Sequence, residues 1–138
     1  MAMNSLQDRD TRSLQYPTRT IVRAERAMRC SPFNWQLFAA MREQSVTLGA
    51  IAGIAGIERQ YVRQAQSELA AENALLWLID VGVLRREVDG QGITDGFRLT
   101  PLGRQLVEKW QKLGGVWPTP SWSDRLYNFL SRWLRMPV

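Results

Sequence analysis

Apolar residues recur at helical spacing through the middle of the chain and predict a long helix. From Glu58 onward they follow alternating steps of three and four residues, which places them on one stripe of a helix ending near Gly82. A break at residues 71–73 would divide this helix in two. The six apolar stripe residues are Val62, Ala65, Leu69, Leu76, Ile79 and Val83. Because such a stripe needs a covering partner, this segment is predicted to be the centre of the fold.

Strand patterns follow the long helix directly. Residues Leu84–Asp89 and Phe97–Thr100 predict the two strands of a hairpin, with turn residues at 90–92 and 95–96. The pair Thr100-Pro101 then predicts the start of another helix, since a hydroxyl cap followed by proline favours a first turn. The pattern is therefore helix, hairpin, helix.

The N-terminal part predicts an arm and one added helix. Residues 1–16 have little apolar content and predict a flexible arm. Residues Thr18–Arg29 then predict a helix with Met28 on its apolar side and arginines on the others. Those arginines either form a solvated face or reach a phosphate backbone, and the first alternative is preferred.

Two further helices are predicted before the long one. Ser31-Pro32 is typical of a helix start. Trp35 and Phe38 would give that helix a second apolar surface, which faces either the N-terminal helix or another subunit. Residues Gln44–Thr47 predict a connector or edge strand, and a second helix follows from Leu48. Gly56 is then expected to form a tight turn, with Ile57 as an apolar anchor.

The C-terminal region predicts a linker and an amphipathic helix. Residues 114–121 contain two prolines, and residues 123–135 are expected to form a helix capped by Ser123-Asp124. Its predicted apolar face consists of Leu126, Tyr127, Leu130, Trp133 and Leu134. Three interpretations stay open: docking on its own domain, contact with a partner or second copy, and contact with an anionic membrane. Membrane contact is the least favoured, because the helix is short.

The order of elements and the string FRLTPLG resemble the second half of a winged helix-turn-helix domain, and TLGAIAGIAGI resembles its helix-turn entry. Similar strings also occur in the dimerisation domains of small-molecule methyltransferases, which share that fold without binding DNA. The expected fold is mainly α with a small β-hairpin wing. It comprises an arm (1–16), a winged-helix domain with an added N-terminal helix (17–113), and a linker with a C-terminal helix (114–138).

The strings LQYPTRTIVRAERAMRCSPF, TLGAIAGIAGI and FRLTPLG also resemble a group of small cyanobacterial winged-helix proteins. That group has no established activity, so the resemblance implies none for this chain.

Composition argues against several classes of function. The chain has 138 residues, no histidine and one cysteine, Cys30, so the usual general base and the usual metal ligand are missing. No phosphate-binding or nucleophile motif is present, and a non-enzyme without metal or cofactor is expected. A polar N-terminus, short apolar runs and a lone cysteine predict a cytoplasmic protein.

The positive charge lies at the two ends of the chain. The net charge is +5, but residues 31–103 hold six arginines against eight acids. This distribution weakens the simplest nucleic-acid interpretation, because phosphate neutralisation supplies most non-specific affinity for DNA.

The candidate DNA contacts come from two places. In the winged-helix resemblance the helix from Glu58 would be the recognition helix, and arginine and glutamine there can read base edges. Hairpin arginines can touch phosphate, although pairing with Glu87 is the simpler account. The candidates are Arg59, Gln60, Arg63 and Gln64 on the helix, and Arg85, Arg86 and Arg98 on the hairpin.

Two functions are therefore expected in competition. The first is double-stranded DNA binding by a dimeric transcriptional regulator. The second is a non-catalytic protein-interaction or dimerisation module that keeps the fold without touching DNA. A homodimer or protein contact would use Trp77, Trp110 and the 123–135 helix.

Overall fold

The computed structural model describes residues 15–115 and 118–136, which form seven helices and three strands. The helices are α1 (Thr18–Cys30), α2 (Trp35–Glu43), α3 (Leu48–Ile51), α4 (Gly53–Glu58), α5 (Glu68–Asp80), α6 (Pro101–Lys112) and α7 (Trp122–Trp133). The strands are β1 (Val46–Thr47), β2 (Leu84–Asp89) and β3 (Gly92–Leu99). The predicted class, mainly α with a small β element, is confirmed.

The three strands form one antiparallel sheet in the order β1-β3-β2. Val46 pairs with Phe97 at one edge, and Leu84 pairs with Leu99 at the other. Phe97, Leu84 and Leu99 are all buried, so one sheet face belongs to the core. Helices α2 and α6 pack on strand β3, and together they close the apolar interior.

Several predicted elements are confirmed. The added N-terminal helix begins at Thr18, the edge strand occupies Val46–Thr47, and β2 occupies Leu84–Asp89. The returning strand is longer than predicted because it begins at Gly92, so residues 95–96 are strand and not turn. A register shift between Arg86 and Val88 of β2 accommodates the extra residues of β3 in the hairpin. Of the predicted arm, residues 1–14 lie outside the described part of the chain.

The prediction of one helix from Glu58 was wrong. Helix α4 ends at Glu58, and α5 begins only at Glu68, where the Ser67 side chain accepts a hydrogen bond from the backbone N–H of Ala70 at 3.0 Å. Gln60 adopts a positive φ of 62°, which ends the preceding helix in a left-handed residue without glycine. The intervening residues 59–67 form turns and extended backbone, and they are called the α4–α5 turn below.

The buried face of α5 also differs from the predicted stripe. Leu69, a predicted stripe residue, is 68% exposed, and Leu76 is exposed as well. Because the helix begins ten residues later than predicted, Val62 belongs to the turn and cannot set the helical phase. The buried residues of α5 are Ala71, Ala74, Leu75 and Leu78.

The predicted second helix is divided at Ala52. Ala52 is extended between α3 and α4, and α4 restarts at Gly53. Gly56 lies inside α4, where an added Cβ would stand 1.9 Å from the carbonyl oxygen of Ile51. The predicted turn at Gly56 is therefore wrong, and glycine is required there by the close approach of the Ile51 carbonyl. Ile57 is exposed and does not anchor the turn.

Helix α2 begins later than predicted. Its N-cap is Asn34 and not Ser31, because Phe33 forms an isolated antiparallel bridge with Val62 of the α4–α5 turn. Phe38 is fully buried and meets the Phe33 ring edge-on at 6.4 Å. The predicted second apolar surface is covered within the chain, because Phe38 belongs to the core and Trp35 is partly buried against it.

The junctions around the hairpin are confirmed. Gly82 has a φ of 88° after the end of α5, as a left-handed helix terminus requires. The Thr100 side chain accepts a hydrogen bond from Gly103 N–H at 3.0 Å, and Pro101 occupies the first turn of α6. Local capping chemistry was thus sufficient to place the start of this helix.

Candidate interaction surfaces

The α4–α5 turn is fastened to the segment that precedes α2. The backbone N–H of Asn34 donates to the Tyr61 carbonyl at 2.8 Å, and the Asn34 side-chain amide donates to the Gln60 carbonyl at 3.1 Å. At its other end, Gly53 N–H donates to the Gln66 carbonyl at 2.8 Å. Together with the buried Val62, these bonds give the turn a defined shape without helical structure.

The turn carries the four candidate base-reading residues, and all four are exposed. Arg59, Gln60, Arg63 and Gln64 therefore lie on one short segment, although not on the predicted helix face. Among the described residues neither Arg59 nor Arg63 forms an ion pair. The cationic groups are available to solvent, but no helix presents them to a groove.

A shallow groove of about 390 Å³ adjoins this turn. Its lining includes Arg63, Arg29 and Trp35, together with Pro118 and Pro120 of the linker before α7. Arg29 already pairs with a carboxylate of α7, so the groove retains one exposed guanidinium.

The three hairpin candidates are held by neighbours in the sheet. Arg85 and Arg98 both pair with Glu87, at 3.5 and 3.4 Å. The guanidinium of Arg86 lies over the Phe97 ring, 5.0 Å from its centroid. The Arg98–Glu87 pair is the cross-strand charge pairing that the sequence favoured, whereas Arg85 and Glu87 are neighbours on β2.

Helix α5 exposes acids and leucines. Its outward face carries Leu69 and Leu76 together with Glu72 and Asp80, and Glu68 lies in its first turn. The helix contains no lysine and no arginine. It is thus an apolar and acidic face, which repels phosphate.

Helix α7 docks on its own domain through polar side chains. Asp124 pairs with Arg29 of α1 at 2.9 Å, and Asn128 Oδ1 accepts a hydrogen bond from Trp77 Nε1 at 3.0 Å. Arg132 Nη2 donates to the backbone carbonyl of Asn73 at 3.2 Å. These contacts reach α1 and α5, so the docking interpretation of the C-terminal helix is the one that the contacts support.

The start of α7 is fixed by a capping box. The N-cap is Ser121 and not the predicted Ser123. The Ser121 side chain accepts a hydrogen bond from the backbone N–H of Asp124, and the Asp124 carboxylate accepts one from the backbone N–H of Ser121 at 3.0 Å. This backbone hydrogen bond first, and the Arg29 guanidinium after it, hold the pKa of Asp124 below its usual range. One carboxylate therefore both caps the helix and fastens it to α1.

Two more residues complete the inward side of α7. Ser131 is buried, and Tyr127 lies beneath the guanidinium of Arg26, 5.6 Å from the ring centroid. Burial lowers the pKa of Arg26 and of Arg132. The contacts that dock α7 are consequently made mainly by polar side chains, with the half-buried Leu130 in addition.

The outward side of α7 is apolar. It consists of Trp122, Leu126, Phe129 and Trp133, whose exposed fractions are 76%, 37%, 51% and 59%. These four residues are called the α7 aromatic face. Of the five residues of the predicted face, all but the half-buried Leu130 are exposed, but the prediction omitted Trp122 and Phe129. The spacing of four, three and four residues is the sequence signal that identifies the correct set.

The two tryptophans predicted to meet a partner have contacts within the chain. Trp77 donates to Asn128, and the ammonium group of Lys109 lies over the ring of Trp110 at 5.4 Å. Lys109 also pairs with Glu25 of α1 at 2.5 Å, which joins α6 to α1.

Reactive groups are sparse in the described part of the chain. Cys30 is partly buried, and burial first, then the charge of Asp124, raises the pKa of its thiol, which disfavours the nucleophilic thiolate. Within residues 15–115 and 118–136, no three His, Cys, Asp or Glu side chains gather as a metal site would need. In the same ranges, no helix has the length and apolarity to cross a membrane.

Comparison with known proteins identifies the family. The Npun_F0494-like family model matches residues 14–132, which is most of the chain. The protein belongs to the Npun_F0494-like family. No curated protein matches it. No solved structure matches it either.

Membership in the Npun_F0494-like family agrees with the resemblance to a small cyanobacterial group. The matched range includes α1 and nearly all of α7. Both added helices are therefore part of the family's common sequence.

Proposed function

We propose that this Npun_F0494-like protein is a non-catalytic interaction module on a winged-helix framework, and that it binds a protein partner through helix α5. The framework is inferred from element order: α2, β1, the α3–α4 pair, α5 and the β2-β3 hairpin, with the sheet ordered β1-β3-β2. In this order α5 occupies the place of the recognition helix.

One observation carries the proposal: the exposed face of α5 combines leucine with acid, and the helix itself contributes no cation. A recognition helix enters the major groove, where phosphates lie on both sides. Glu68, Glu72 and Asp80 would face those phosphates unfavourably, whereas Leu69 and Leu76 suit an apolar surface rimmed by basic residues.

The first test is a titration of the full chain with a labelled random-sequence duplex. We expect no saturable binding at about 50 mM salt, the condition under which DNA-binding proteins bind most tightly. Saturable binding that weakens steeply between about 50 and about 200 mM salt would overturn the proposal.

The second test locates the partner surface. A photo-crosslinking side chain at position 69 should give a discrete protein adduct in native extract, and Glu72→Lys should remove that adduct. A crosslinker at position 91, on the exposed hairpin turn, is the matched control and should not give it. Equal adducts from both positions would contradict a partner surface on α5.

The second candidate function is DNA binding in transcriptional regulation, through the α4–α5 turn. It is favoured by the exposure of Arg59 and Arg63, which have no ion pair among the described residues. If duplex binding is found, Arg59→Ala and Arg63→Ala should each weaken it and reduce its salt dependence, whereas Arg98→Ala, already paired with Glu87, should change it little.

A further inference from the structure

The α7 aromatic face lies on the surface even though α7 itself is firmly docked. Trp122, Phe129 and Trp133 are each more than half exposed, and together with Leu126 they form a continuous stripe along three turns. Contiguous apolar surface of this kind marks an interaction site in stable proteins. Since the docking contacts lie on the opposite side, the stripe can be covered without detaching the helix.

The charges carried by α1 and by the α7 segment are almost all positive, whereas the acids nearest to them, such as Asp80, lie on α5. Helix α1 and residues 122–136 together contain seven arginines and two acids. Both acids are engaged: Glu25 pairs with Lys109, and Asp124 pairs with Arg29. Arg125 and Arg135 are exposed beside the stripe, and Arg132 lies over the outward ring of Trp133, 4.5 Å from its centroid.

This charge pattern discriminates between possible occupants. A second copy of the chain packed stripe against stripe would bring the exposed arginines of the two α7 helices together, and Asp124, the one acid in residues 122–136, is already paired with Arg29, so this contact is unfavourable. An anionic lipid surface supplies the complementary charge and also an apolar layer for the aromatic rings. Tryptophan and phenylalanine facing outward with arginine at the flanks is the composition of helices that lie in the membrane interface.

We propose that the α7 aromatic face binds the surface of an anionic lipid bilayer, with α7 lying parallel to it. The aromatic rings would enter the boundary between headgroups and acyl chains, and Arg125 and Arg135 would contact lipid phosphates. This surface is separate from the α5 face of the proposed function, so either proposal can fail without the other.

The test is co-flotation of the full chain with vesicles of phosphatidylcholine alone or of phosphatidylcholine with phosphatidylglycerol. We expect binding to the anionic vesicles, which weakens as salt rises from about 50 to about 200 mM, and little binding to the neutral ones. Phe129→Ser should lower the vesicle affinity at least about tenfold, and Arg125→Glu should lower it at least about fivefold.

The matched control is Ile93→Ser, which removes an apolar side chain of the hairpin that is even more exposed than Phe129 and should leave vesicle affinity unchanged. Circular dichroism and urea unfolding of each variant confirm that the fold persists. Absence of binding to anionic vesicles overturns the proposal, as does unchanged binding by folded Phe129→Ser. A concentration-dependent dimer that Phe129→Ser dissociates, without vesicle binding, would instead assign the face to a second copy.

Discussion

Helices α6 and α7 are both amphipathic and both 12 residues long, yet they face the protein with opposite sides. Helix α6 buries Leu102, Leu106 and Val107 in the core. Helix α7 buries Ser131 and turns its aromatic residues outward. Amphipathic spacing therefore defines two sides of a helix, but the surface available to it decides which side docks.

The docking surfaces explain the difference. Helix α6 follows the hairpin directly and packs on β3. There it helps to cover the apolar face of the sheet, which includes Phe97 and Leu99. Helix α7 packs on α1 and α5 at Arg26, Arg29 and the edge of Trp77, where guanidinium, indole N–H and carbonyl groups need polar partners. A leucine placed there would leave these groups unsatisfied.

The largest expected difference between the two helices comes from truncating their apolar residues. Leu106→Ala should lower the free energy of unfolding by about 2–5 kcal/mol, because it leaves a cavity in the core. Phe129→Ala should change that free energy by no more than about 0.5 kcal/mol, because its side chain is half exposed. Urea unfolding of both variants measures the comparison, and equal losses would show that α7 buries its aromatic face.

The next prediction tests how closely α6 approaches the backbone at Val83, the residue before β2. An added Cβ at Gly103 would lie 2.3 Å from the Val83 carbonyl oxygen, so Gly103→Ala should cost roughly 1–3 kcal/mol of unfolding free energy. Gly49 of α3 has open space around it, and Gly49→Ala is the control, with an expected gain of up to about 1 kcal/mol. A gain at both positions would contradict the close packing of α6.

A smaller effect concerns the charge that fastens α7. Asp124→Ala should lower the free energy of unfolding by roughly 1–2 kcal/mol, because it removes the capping box and a partly exposed ion pair. Urea unfolding at neutral pH provides the measurement. A stability equal to that of the parent would mean that α7 is held by its other contacts alone.

The same carboxylate makes the docking of α7 sensitive to acid. The pKa of Asp124 is lowered in the folded protein, so its contribution is fully present above the usual aspartate pKa of about 3.9 and is lost as pH falls through the lower folded value. The parent should therefore lose stability in this window relative to Asp124→Asn. Parallel pH profiles of the two proteins would refute the assignment.

The smallest expected effect comes from the indole hydrogen bond between α5 and α7. Trp77→Phe removes the donor to Asn128 and should cost about 0.5–1 kcal/mol of unfolding free energy. A double-mutant cycle with Asn128→Ala isolates this contact from the loss of ring area. Strict additivity of the two substitutions would show that the bond does not couple the helices.

Local chemistry made the predictions at the two junctions of the hairpin accurate, whereas the predicted caps Ser31 and Ser123 were wrong. Gly82 and the Thr100-Pro101 pair determine their own backbone conformations, so the end of α5 and the start of α6 follow from neighbouring residues. The break after α4 has no such signal, because Gln60 adopts a left-handed conformation that glycine or asparagine usually fills. The bonds that Asn34 makes to this turn come from a distant part of the chain.

The candidate DNA-contact residues also divide into features that local sequence predicts and features that depend on distant parts of the chain. All seven DNA-contact candidates were chosen by residue type, and the four on the α4–α5 turn are exposed as expected. Neither the pairing of Arg85 and Arg98 with one glutamate nor the acidic outer face of α5 follows from residue type alone. The first depends on strand register, and the second on where α5 begins.

The amino-acid sequence by itself determined the class of fold, the hairpin, the capped start of α6 and the existence of an amphipathic C-terminal helix. Each depends on residues close together in the chain, whose backbone preferences act locally. Tertiary structure alone decided where the α4–α5 turn lies and which side of α7 meets the domain. Both depend on polar groups from distant segments, Asn34 for the turn and Arg29 for α7, which must find partners when burial removes them from water.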